Sequence, residues 1–433
     1  MSVADDYFAR VRPLLGDGLS RCVVEVDDAE LAALVLELLA SCMLEHVVVT
    51  RRETLPALER ASAWKRPFAP LRTSQARADA RIVARRGPAS IAWSRGTVTM
   101  TLDPDDVLAY VDVSYHVART LRDVLLGRMT WPTASLRQPF DPRGMTIDLC
   151  GRHVMVVGCG SLGSEAVRML AGARFTLIDD ANVTVYNLAR QWFGAADVGR
   201  PKVEALQDRV DIARTWRTRL EAPDLPALEA LVRDDPPDVV VLATGTHHHA
   251  MLAELSWRLG IPHVVACCYP RARYFEVSVV SPRDHTPCLH CFRGHLYRGP
   301  AEPLPDELAA FLYEAVPDAE RAQRYTDLVA EPASQIETLR AAHVLVRCAV
   351  ELMSQTRSAW FARVLAESTT CLLGGNAAGA YGITEPGQVI RLGLDDIAGA
   401  TDHVRCDVCA RTMRVALRDE LPPLDDAADA AFL

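Results

Sequence analysis

Three glycines and one acid within residues 154–179 could together bind the phosphates and the ribose of a nucleotide. The segment reads as a strand, a glycine-rich turn, a helix and a second strand that ends on an acid. The glycines are Gly158, Gly160 and Gly163, and the acid is Asp179. Glycines let backbone N–H groups reach phosphate oxygens at a helix N-terminus, and an acid after the next strand suits ribose hydroxyls. Alone, this fingerprint fits a dehydrogenase as well as a nucleotide hydrolase or transferase.

Amide and cationic side chains follow Asp179 in the sequence, and they help to choose among the nucleotide-binding enzymes that the glycine turn allows. They are Asn187, Arg190 and Gln191, and then Lys202 after a Gly-Arg-Pro turn. A dehydrogenase has no need of them. An enzyme that adenylates a carboxylate must stabilise the charge on departing pyrophosphate, for which Arg and Lys are suited. The chain has two lysines, Lys65 and Lys202, among 47 basic residues, which indicates that position 202 needs a compact ammonium group.

Two Cys-x-x-Cys pairs predict a metal site. They are Cys288 with Cys291 and Cys406 with Cys409. The chain has 12 cysteines and no signal-peptide pattern, which indicates a reducing cytoplasm, where such pairs are read as a tetrahedral thiolate zinc site. The metal would join two distant segments of the chain. Redox-active pairs are the alternative.

These blocks, in this order, resemble the ThiF/MoeB/HesA and ubiquitin-activating (E1-like) enzyme superfamily. The resemblance runs from about Tyr7 to Cys409 and is strongest over residues 154–202. It implies an α/β fold of Rossmann-like doubly wound sheets, with ATP, Mg²⁺ and a structural Zn²⁺ as cofactors. Within the superfamily the chain is most similar to bacterial activators of a ubiquitin-like protein, of the Bil type found in antiviral conjugation operons.

The resemblance also implies a reaction and the residues for it. The C-terminal carboxylate of a ubiquitin-like protein would attack ATP, giving an acyl-adenylate and pyrophosphate, and a cysteine thioester would then pass the acyl group to an E2-like conjugating enzyme. Asp179 would bind the ribose, while Asn187 and Gln191 would fix positions. Arg190, Lys202 and an N-terminal arginine would offset the developing charge.

Residues 1–50 align with the central segment as a degraded copy of it. Each copy reads as strand, helix, strand, but the turn of the first carries carboxylates instead of glycines and would repel phosphate. A chance likeness between two such units is the alternative. In the superfamily an arginine near the start of one half reaches into the ATP site of the other, and Arg10 or Arg12 occupies that place.

The magnesium ligand is the first departure from the superfamily. Relatives usually carry an Asp, which binds the magnesium of the nucleotide, where this chain has Gly245. Asp180 or one of the histidines at 247–249 would have to replace it, and imidazole suits magnesium poorly. The simpler interpretation of the histidines is a polar helix start.

The thioester cysteine is the second departure. In several relatives it precedes a long helix, but no cysteine lies between Cys291 and Cys348 here. Cys268, at the end of a predicted strand, and Cys371 are the remaining candidates. Cys348 is predicted to be a core residue.

Three functions therefore stay open. The first is an activator of a ubiquitin-like protein, favoured by the fused copies and the cysteine pairs. The second is a sulfur-carrier or peptide adenylyltransferase. The third is a non-catalytic adaptor that binds nucleotide and a partner, which the two departures favour.

Composition excludes some classes of function. A net charge of −9 argues against non-specific binding of nucleic acid, and no apolar run reaches membrane-spanning length. We expect a cytoplasmic protein with three parts: an inactive adenylation-like domain at 1–145, an active ThiF-type domain at 146–415 with the zinc site and a crossover segment, and an acidic tail at 416–433.

Hydrophobic patterns predict the elements that position these residues. Short strands are expected across 80–102 and buried strands at 238–244 and 261–268. Helices are expected at 105–126, 200–220 and 336–361, the second with Lys202 in its first turn.

Overall fold

The structure of the 433-residue chain is a computed structural model. It describes residues 22–26, 29–41, 47–49, 72–73, 80–94, 96–102, 107–125, 129–133, 136–137, 148–184, 187–188, 190–244, 246–268, 274–289, 291, 335–368, 370–374, 389–392, 400–405, 408–409 and 412–416. Among these residues, no helix is both long and apolar enough to cross a membrane.

The N-terminal sheet has seven strands in the order β3-β2-β1-β4-β6-β5-β7. The first five strands in that order run parallel, and the last two are antiparallel additions. Two helices follow from the same part of the chain. The elements are β1 (Cys22–Val26), α1 (Ala29–Ser41), β2 (Val47–Val49), β3 (Arg72–Thr73), β4 (Ala80–Arg86), β5 (Ser90–Ser94), β6 (Thr97–Leu102), α2 (Val107–Leu125) and β7 (Leu136–Arg137).

The larger sheet has eight strands in the order β10-β9-β8-β11-β12-β13-β14-β15. Five parallel strands are again followed by antiparallel ones. Its strands are β8 (His153–Val157), β9 (Arg174–Ile178), β10 (Asp211–Trp216), β11 (Val239–Leu242), β12 (His263–Cys268), β13 (Tyr274–Val280), β14 (Thr370–Gly374) and β15 (Val389–Leu392). A separate hairpin is formed by β16 (Ala400–Arg405) and β17 (Thr412–Ala416).

The helices of the C-terminal part cover both faces of the larger sheet. They are α3 (Ser161–Met169), α4 (Lys202–Gln207), α5 (Leu225–Asp234), α6 (Thr246–Arg258), α7 (Gln335–Met353) and α8 (Ala359–Arg363). One face packs on α5 and α6 in an apolar cluster of its own. The other face belongs to a core that continues through α3, α7, α2 and α1 to the N-terminal sheet. Every residue of α7 is buried, because this helix lies between the two sheets.

The first four strands of each sheet have the same order, and the later strands do not. In each, the first strand of the chain lies between the second and the fourth, and five parallel strands end in antiparallel ones. The strand, helix, strand pattern predicted for residues 1–50 is confirmed by β1, α1 and β2. That the N-terminal half is an inactive copy, with the predicted domain limits, stays a prediction.

Most predicted elements are confirmed. Strands occupy 80–102, 239–242 and 263–268, α2 covers the helix predicted at 105–126, and α6 begins at the three histidines. Cys348 is fully buried in the core.

The helix predicted for residues 200–220 is wrong beyond its first turns. Helix α4 ends at Gln207, and the chain then enters β10, which pairs in parallel with β9. Lys202 does begin the helix, as predicted. Residues 211–216 include Ile212, Thr215 and Trp216, types that favour strands, and pairing with the edge of β9 decides for a strand.

The helix predicted for residues 336–361 is interrupted. Helix α7 ends at Met353, and the Ser358 side chain then accepts a hydrogen bond from the Phe361 N–H at 3.2 Å to start α8. A serine in this position offers the chain a new N-cap, and this favours two helices over one.

Candidate functional site

The glycine turn connects β8 to α3 at the carboxyl edge of the larger sheet. Gly158 has a φ of +90°, and a Cβ on it would lie 2.5 Å from the Ala243 carbonyl oxygen. A Cβ on Gly163 would lie 1.8 Å from the Gly158 carbonyl oxygen, so α3 packs directly on the turn. A Cβ on Gly160 would meet nothing within 4 Å. Packing therefore requires two of the glycines, and the third faces open space beside a helix N-terminus, which is favourable for phosphate.

The Asp179 carboxylate holds this turn in place. Its Oδ2 accepts a hydrogen bond from the Cys159 N–H at 2.7 Å, and its Oδ1 accepts one from the Ala181 N–H at 2.8 Å. A carboxylate has about four lone-pair sites, so each oxygen keeps capacity for a further donor. The half-buried side chain can therefore fix the turn and also accept the hydroxyls of a ribose.

Lys202 lies near the same turn. Its backbone N–H donates to the Ala181 carbonyl oxygen at 3.0 Å. Burial raises the pKa of the Cys159 thiol well above its usual value, the Asp179 carboxylate raises it further, and the Lys202 ammonium group lowers it. The ammonium group and the carboxylate thus both act on the glycine turn, while the protonated, buried thiol is inert as a nucleophile.

Asn187 shapes the loop that carries Arg190 and Gln191. Its Oδ1 accepts a hydrogen bond from the Thr184 N–H at 2.8 Å, and its carbonyl oxygen accepts from the N–H groups of Arg190 and Gln191 at 3.2 and 2.9 Å. Thr338 Oγ1, on α7, donates to the Arg190 carbonyl oxygen at 3.2 Å. The Asn187 amide therefore acts on backbone, and Gln191 is 4% exposed. Their roles toward a nucleotide, and that of Arg190, stay predictions.

Asp180 is the candidate magnesium ligand whose side chain the structure describes; it would replace the Asp that relatives carry at the position of Gly245. It forms an exposed ion pair with Arg219 at 3.2 Å. Such a pair contributes little, so its carboxylate is available to a cation. Gly245 and the side chains of the histidines at 247–249 lie outside what the structure describes.

Of the two thioester candidates, Cys268 has a described side chain, and it is exposed. It ends β12, which runs parallel to β11 and β8, so it lies at the same edge of the sheet as the glycine turn. Cys371 is in β14, opposite Val277, and its side chain is outside the described part. Arg10 lies in a range that the structure does not describe.

Three cysteine sulfurs meet at a second place. The Cys288 and Cys291 Sγ atoms lie 3.7 Å apart, the Cys291 and Cys409 Sγ atoms 3.4 Å apart, and all three are within 4.8 Å of one another. A disulfide would need about 2 Å. A zinc tetrahedron with Zn–S bonds of about 2.3 Å puts its sulfurs roughly 3.8 Å apart. The donor set therefore fits a thiolate metal site. Cys406 lies outside the described residues, so the fourth ligand and the identity of the metal stay predictions.

Sequence reasoning missed the residues behind the 190–192 segment. Ser164 Oγ accepts a hydrogen bond from the Trp192 N–H at 3.0 Å, and the Arg168 guanidinium lies over the Trp192 ring at 5.8 Å. The available signal was Glu165, a charged residue inside an apolar helix pattern, which is 0% exposed.

A parallel sheet whose carboxyl edge carries a glycine turn, a helix N-terminus and a clamped acid defines a nucleotide-binding α/β protein. The chain belongs to the ThiF family, whose model matches residues 138–359. The resemblance to the ThiF/MoeB E1-like superfamily is therefore confirmed.

Two curated relatives match parts of the chain. It is 49% identical over 154 residues to the molybdopterin-synthase adenylyltransferase of Salmonella typhimurium, which covers 32% of this chain and 57% of that protein. It is 43% identical over 67 residues to the adenylyltransferase and sulfurtransferase UBA4 of Yarrowia lipolytica, which covers 15% of this chain and 17% of that protein. The chain thus spans less than two thirds of either relative.

Among solved structures, the chain is similar to E. coli MccB. The MccB structure with MccA-N7isoASN has a TM-score of 0.41 and 15% identity, over 60% of this chain and 68% of that one. The MccB structure with ATP has a TM-score of 0.39 and 14% identity, over 57% of this chain and 65% of that one.

Proposed function

We propose that the protein is an ATP-dependent adenylyltransferase that activates the C-terminal carboxylate of a small ubiquitin-like protein. One observation carries the proposal: the open position beside Gly160 lies at the N-terminus of α3, next to Cys159, on which the Asp179 carboxylate and the Lys202 ammonium group both act. Helix N-terminus and ammonium group attract a polyphosphate, and the acid suits the ribose beside it.

The proposed reaction is an in-line displacement at the α-phosphorus of ATP. An oxygen of the acyl carboxylate forms a bond to that phosphorus as the bond to the pyrophosphate oxygen breaks, which gives an acyl-adenylate and pyrophosphate. Lys202, Arg190 and Arg10 offset the charge that moves to the leaving group. Mg²⁺, when bound, neutralises phosphate charge, and Asp180 is the side chain proposed to hold it.

A thioester step would follow if the acyl group is to reach an E2-like conjugating enzyme. The thiolate of the accepting cysteine attacks the acyl carbonyl, and AMP leaves. Between the two candidates, the exposure of Cys268 at the carboxyl edge supports Cys268 over Cys371.

A sulfur-carrier adenylyltransferase is the second candidate. The two curated relatives support it, since both are adenylyltransferases by name and one is also named a sulfurtransferase. In this case the acyl-adenylate is the end product of the chain and no thioester forms on Cys268.

The experiment is ATP–pyrophosphate exchange by the full chain with a ubiquitin-like protein that ends in a free carboxylate. The same protein with an amidated C-terminus is the control. We expect exchange with the free carboxylate alone, and a thiol-sensitive adduct that disappears in Cys268→Ser. Exchange without an adduct supports the sulfur-carrier candidate, and no exchange with either class of carrier contradicts adenylation.

Lys202 is the matched test of the site. Lys202→Ala is expected to lower kcat on the order of 10²–10³-fold, as the loss of one charge-stabilising donor does. Lys202→Arg keeps the charge on a planar fork and is expected to restore little, since the site calls for a compact ammonium group. Full activity in Lys202→Ala would remove Lys202 from the reaction.

A further inference from the structure

The geometry points to Glu37, in the N-terminal part of the chain, as a positioning residue for the Arg190 segment of the nucleotide site. The inference rests on the proposed function as far as the role of Arg190 is concerned. The contacts that carry it are independent of that role.

The Glu37 carboxylate, in the N-terminal part of the chain, forms hydrogen bonds to two helices of the C-terminal part. It lies on α1 and accepts two hydrogen bonds from the Arg168 guanidinium on α3, at 3.2 and 3.5 Å. It also accepts a hydrogen bond from the Gln335 Nε2 at the start of α7, at 2.8 Å. One side chain of the N-terminal part therefore contacts both of the helices that lie behind the nucleotide site.

A buried carboxylate completes this cluster from the other side. Gln335 Nε2 also donates to Glu165 Oε1 at 2.6 Å, and Arg168 Nη1 lies 3.6 Å from Glu165 Oε2. Burial lowers the pKa of Arg168, but the carboxylates of Glu37 and Glu165 outweigh it and raise the pKa overall. A charged group in such a place needs its partners, so the cluster fixes the relative position of α3 and α7.

Helices α3 and α7 in turn hold the Arg190 segment by its backbone. Ser164, on α3, accepts the hydrogen bond from the Trp192 N–H, and Thr338, one turn after Gln335 on α7, donates to the Arg190 carbonyl oxygen. The Arg168 guanidinium lies over the Trp192 ring. The segment is thus held from two helices, and Glu37 is a side chain of the N-terminal part that contacts both.

Removal of the Glu37 charge should therefore release the segment without unfolding the chain. In Glu37→Gln the amide is close in shape to the carboxylate, but Arg168 loses its bidentate partner. A guanidinium that moves away from Trp192 no longer packs on it, and the backbone hydrogen bonds of Arg190 and Trp192 open more often.

Amide hydrogen exchange of the full chain tests this without any substrate. We expect the peptide that covers residues 187–200 to exchange at least tenfold faster in Glu37→Gln than in the unmodified protein. Asp112→Asn is the matched control. Asp112, on α2, accepts a hydrogen bond from Arg340 on α7 at 2.6 Å, so it joins the same two parts of the chain. Its described partners, Arg340 and His343 on α7 and His116 on α2, lie away from Glu37 in sequence, and this variant should leave the peptide unchanged.

The exchange result decides the inference in either direction. A wild-type rate for this peptide in Glu37→Gln overturns it. An equal increase in Asp112→Asn also overturns it, because the effect is then a general loosening between the two parts. Failure of the proposed function would show separately, as absence of pyrophosphate exchange in the unmodified chain.

Kinetics give the second readout. Glu37→Gln should lower kcat of ATP–pyrophosphate exchange about tenfold and leave KM for ATP within about twofold, because misplacement of a charge-stabilising group costs most in the transition state. Thr338→Val removes the hydrogen bond to Arg190 and should lower kcat similarly. If both act on one segment, the double variant loses little more than either single one. Additive losses, or a change in KM alone, contradict the positioning role.

Discussion

Substitution by alanine should distinguish the roles of Gly163 and Gly160, because the added methyl group meets different surroundings at the two positions. In Gly163→Ala the Cβ would lie 1.8 Å from the Gly158 carbonyl oxygen, so α3 must move away from the turn. We expect a loss of about 1–3 kcal/mol in the free energy of unfolding, as for overpacked sites. In Gly160→Ala the Cβ meets nothing within 4 Å, so stability should be unchanged.

Gly160→Ala should lower the affinity for ATP although it leaves stability unchanged. The Gly160→Ala methyl group projects into the space beside the helix N-terminus, and we expect ATP affinity to fall at least tenfold by calorimetric titration while the melting temperature stays the same. Wild-type ATP affinity in Gly160→Ala would place the phosphates elsewhere.

His263 makes stability depend on pH. It is fully buried in β12, and burial lowers its pKa from 6.5 to about 4, opposed in part by its hydrogen bond to the Ile261 carbonyl oxygen. The folded state therefore binds its proton less readily than the unfolded state, so stability is present above pH 6.5 and is lost as the pH falls toward 4. From pH 7 to pH 4.5 the loss should be roughly 2.5 kcal/mol.

Asn can keep the donor to Ile261 and does not titrate, so His263→Asn is the comparison. Denaturant unfolding at pH 7 and pH 4.5 should show that the stability difference between wild type and His263→Asn shrinks with acidification, because the other groups titrate in both proteins. A constant difference would show that His263 does not titrate in this range.

Spacing along the chain identified the residues whose neighbours are close in sequence. Gly158, Gly163 and Asp179 lie within one strand, turn, helix, strand unit, and a local pattern is enough to place them together. Glu37 could not be found in this way, because its partners Arg168 and Gln335 are 131 and 298 residues away. Only the packing of α1 on α3 and α7 brings these charges together.

Helices and strands were predicted correctly where one hydrophobic periodicity dominates the sequence, and were missed where the sequence is compatible with both a helix and a strand. The β11 run is apolar at every position and its short length decides for a strand. Residues 200–220 begin with a helix that places Lys202, and continue as a strand because the edge of β9 accepts one. Such a choice depends on pairing with a distant strand and is not contained in the local pattern.

The cysteine cluster joins two elements that are far apart in sequence, and metal removal should separate them. We expect about one zinc ion per chain by elemental analysis. Chelation, or Cys291→Ser, should remove it and lower the melting temperature by about 5–10 °C, since metal binding adds to folding free energy. Cys150→Ser is the control, because Cys150 is exposed and is not in the cluster. A metal-free wild-type protein with an unchanged melting temperature under chelator would exclude a structural metal.

At the scale of the whole chain, two sheets whose first four strands have the same order enclose a shared layer of helices. The order was foreseeable only for the first strand, helix, strand unit of each sheet, because the connection from β2 to β3 carries no repeat of the later pattern. The layer between them is both apolar and charged. The ion pairs from Asp112 to Arg340 and from Glu37 to Arg168 cross it. Since lone buried charges are costly, these pairs favour a single arrangement of the two parts.

Because the first four strands of the two sheets have the same order, the chain could bind one nucleotide or two, and we expect one. In both sheets a helix follows the first strand, but the sequence between β1 and α1 is Asp27-Asp28, whereas the segment between β8 and α3 has glycines and an open helix N-terminus. Carboxylates beside that position repel phosphate, whereas the turn at Gly160 attracts it. Calorimetric titration with ATP should give about one site per chain, whose affinity falls at least tenfold in Gly160→Ala, whereas Asp27→Asn should leave the stoichiometry and the affinity unchanged. Two sites per chain, or one site whose affinity is unchanged in Gly160→Ala and falls in Asp27→Asn, would show that the N-terminal part binds nucleotide and is not an inactive copy.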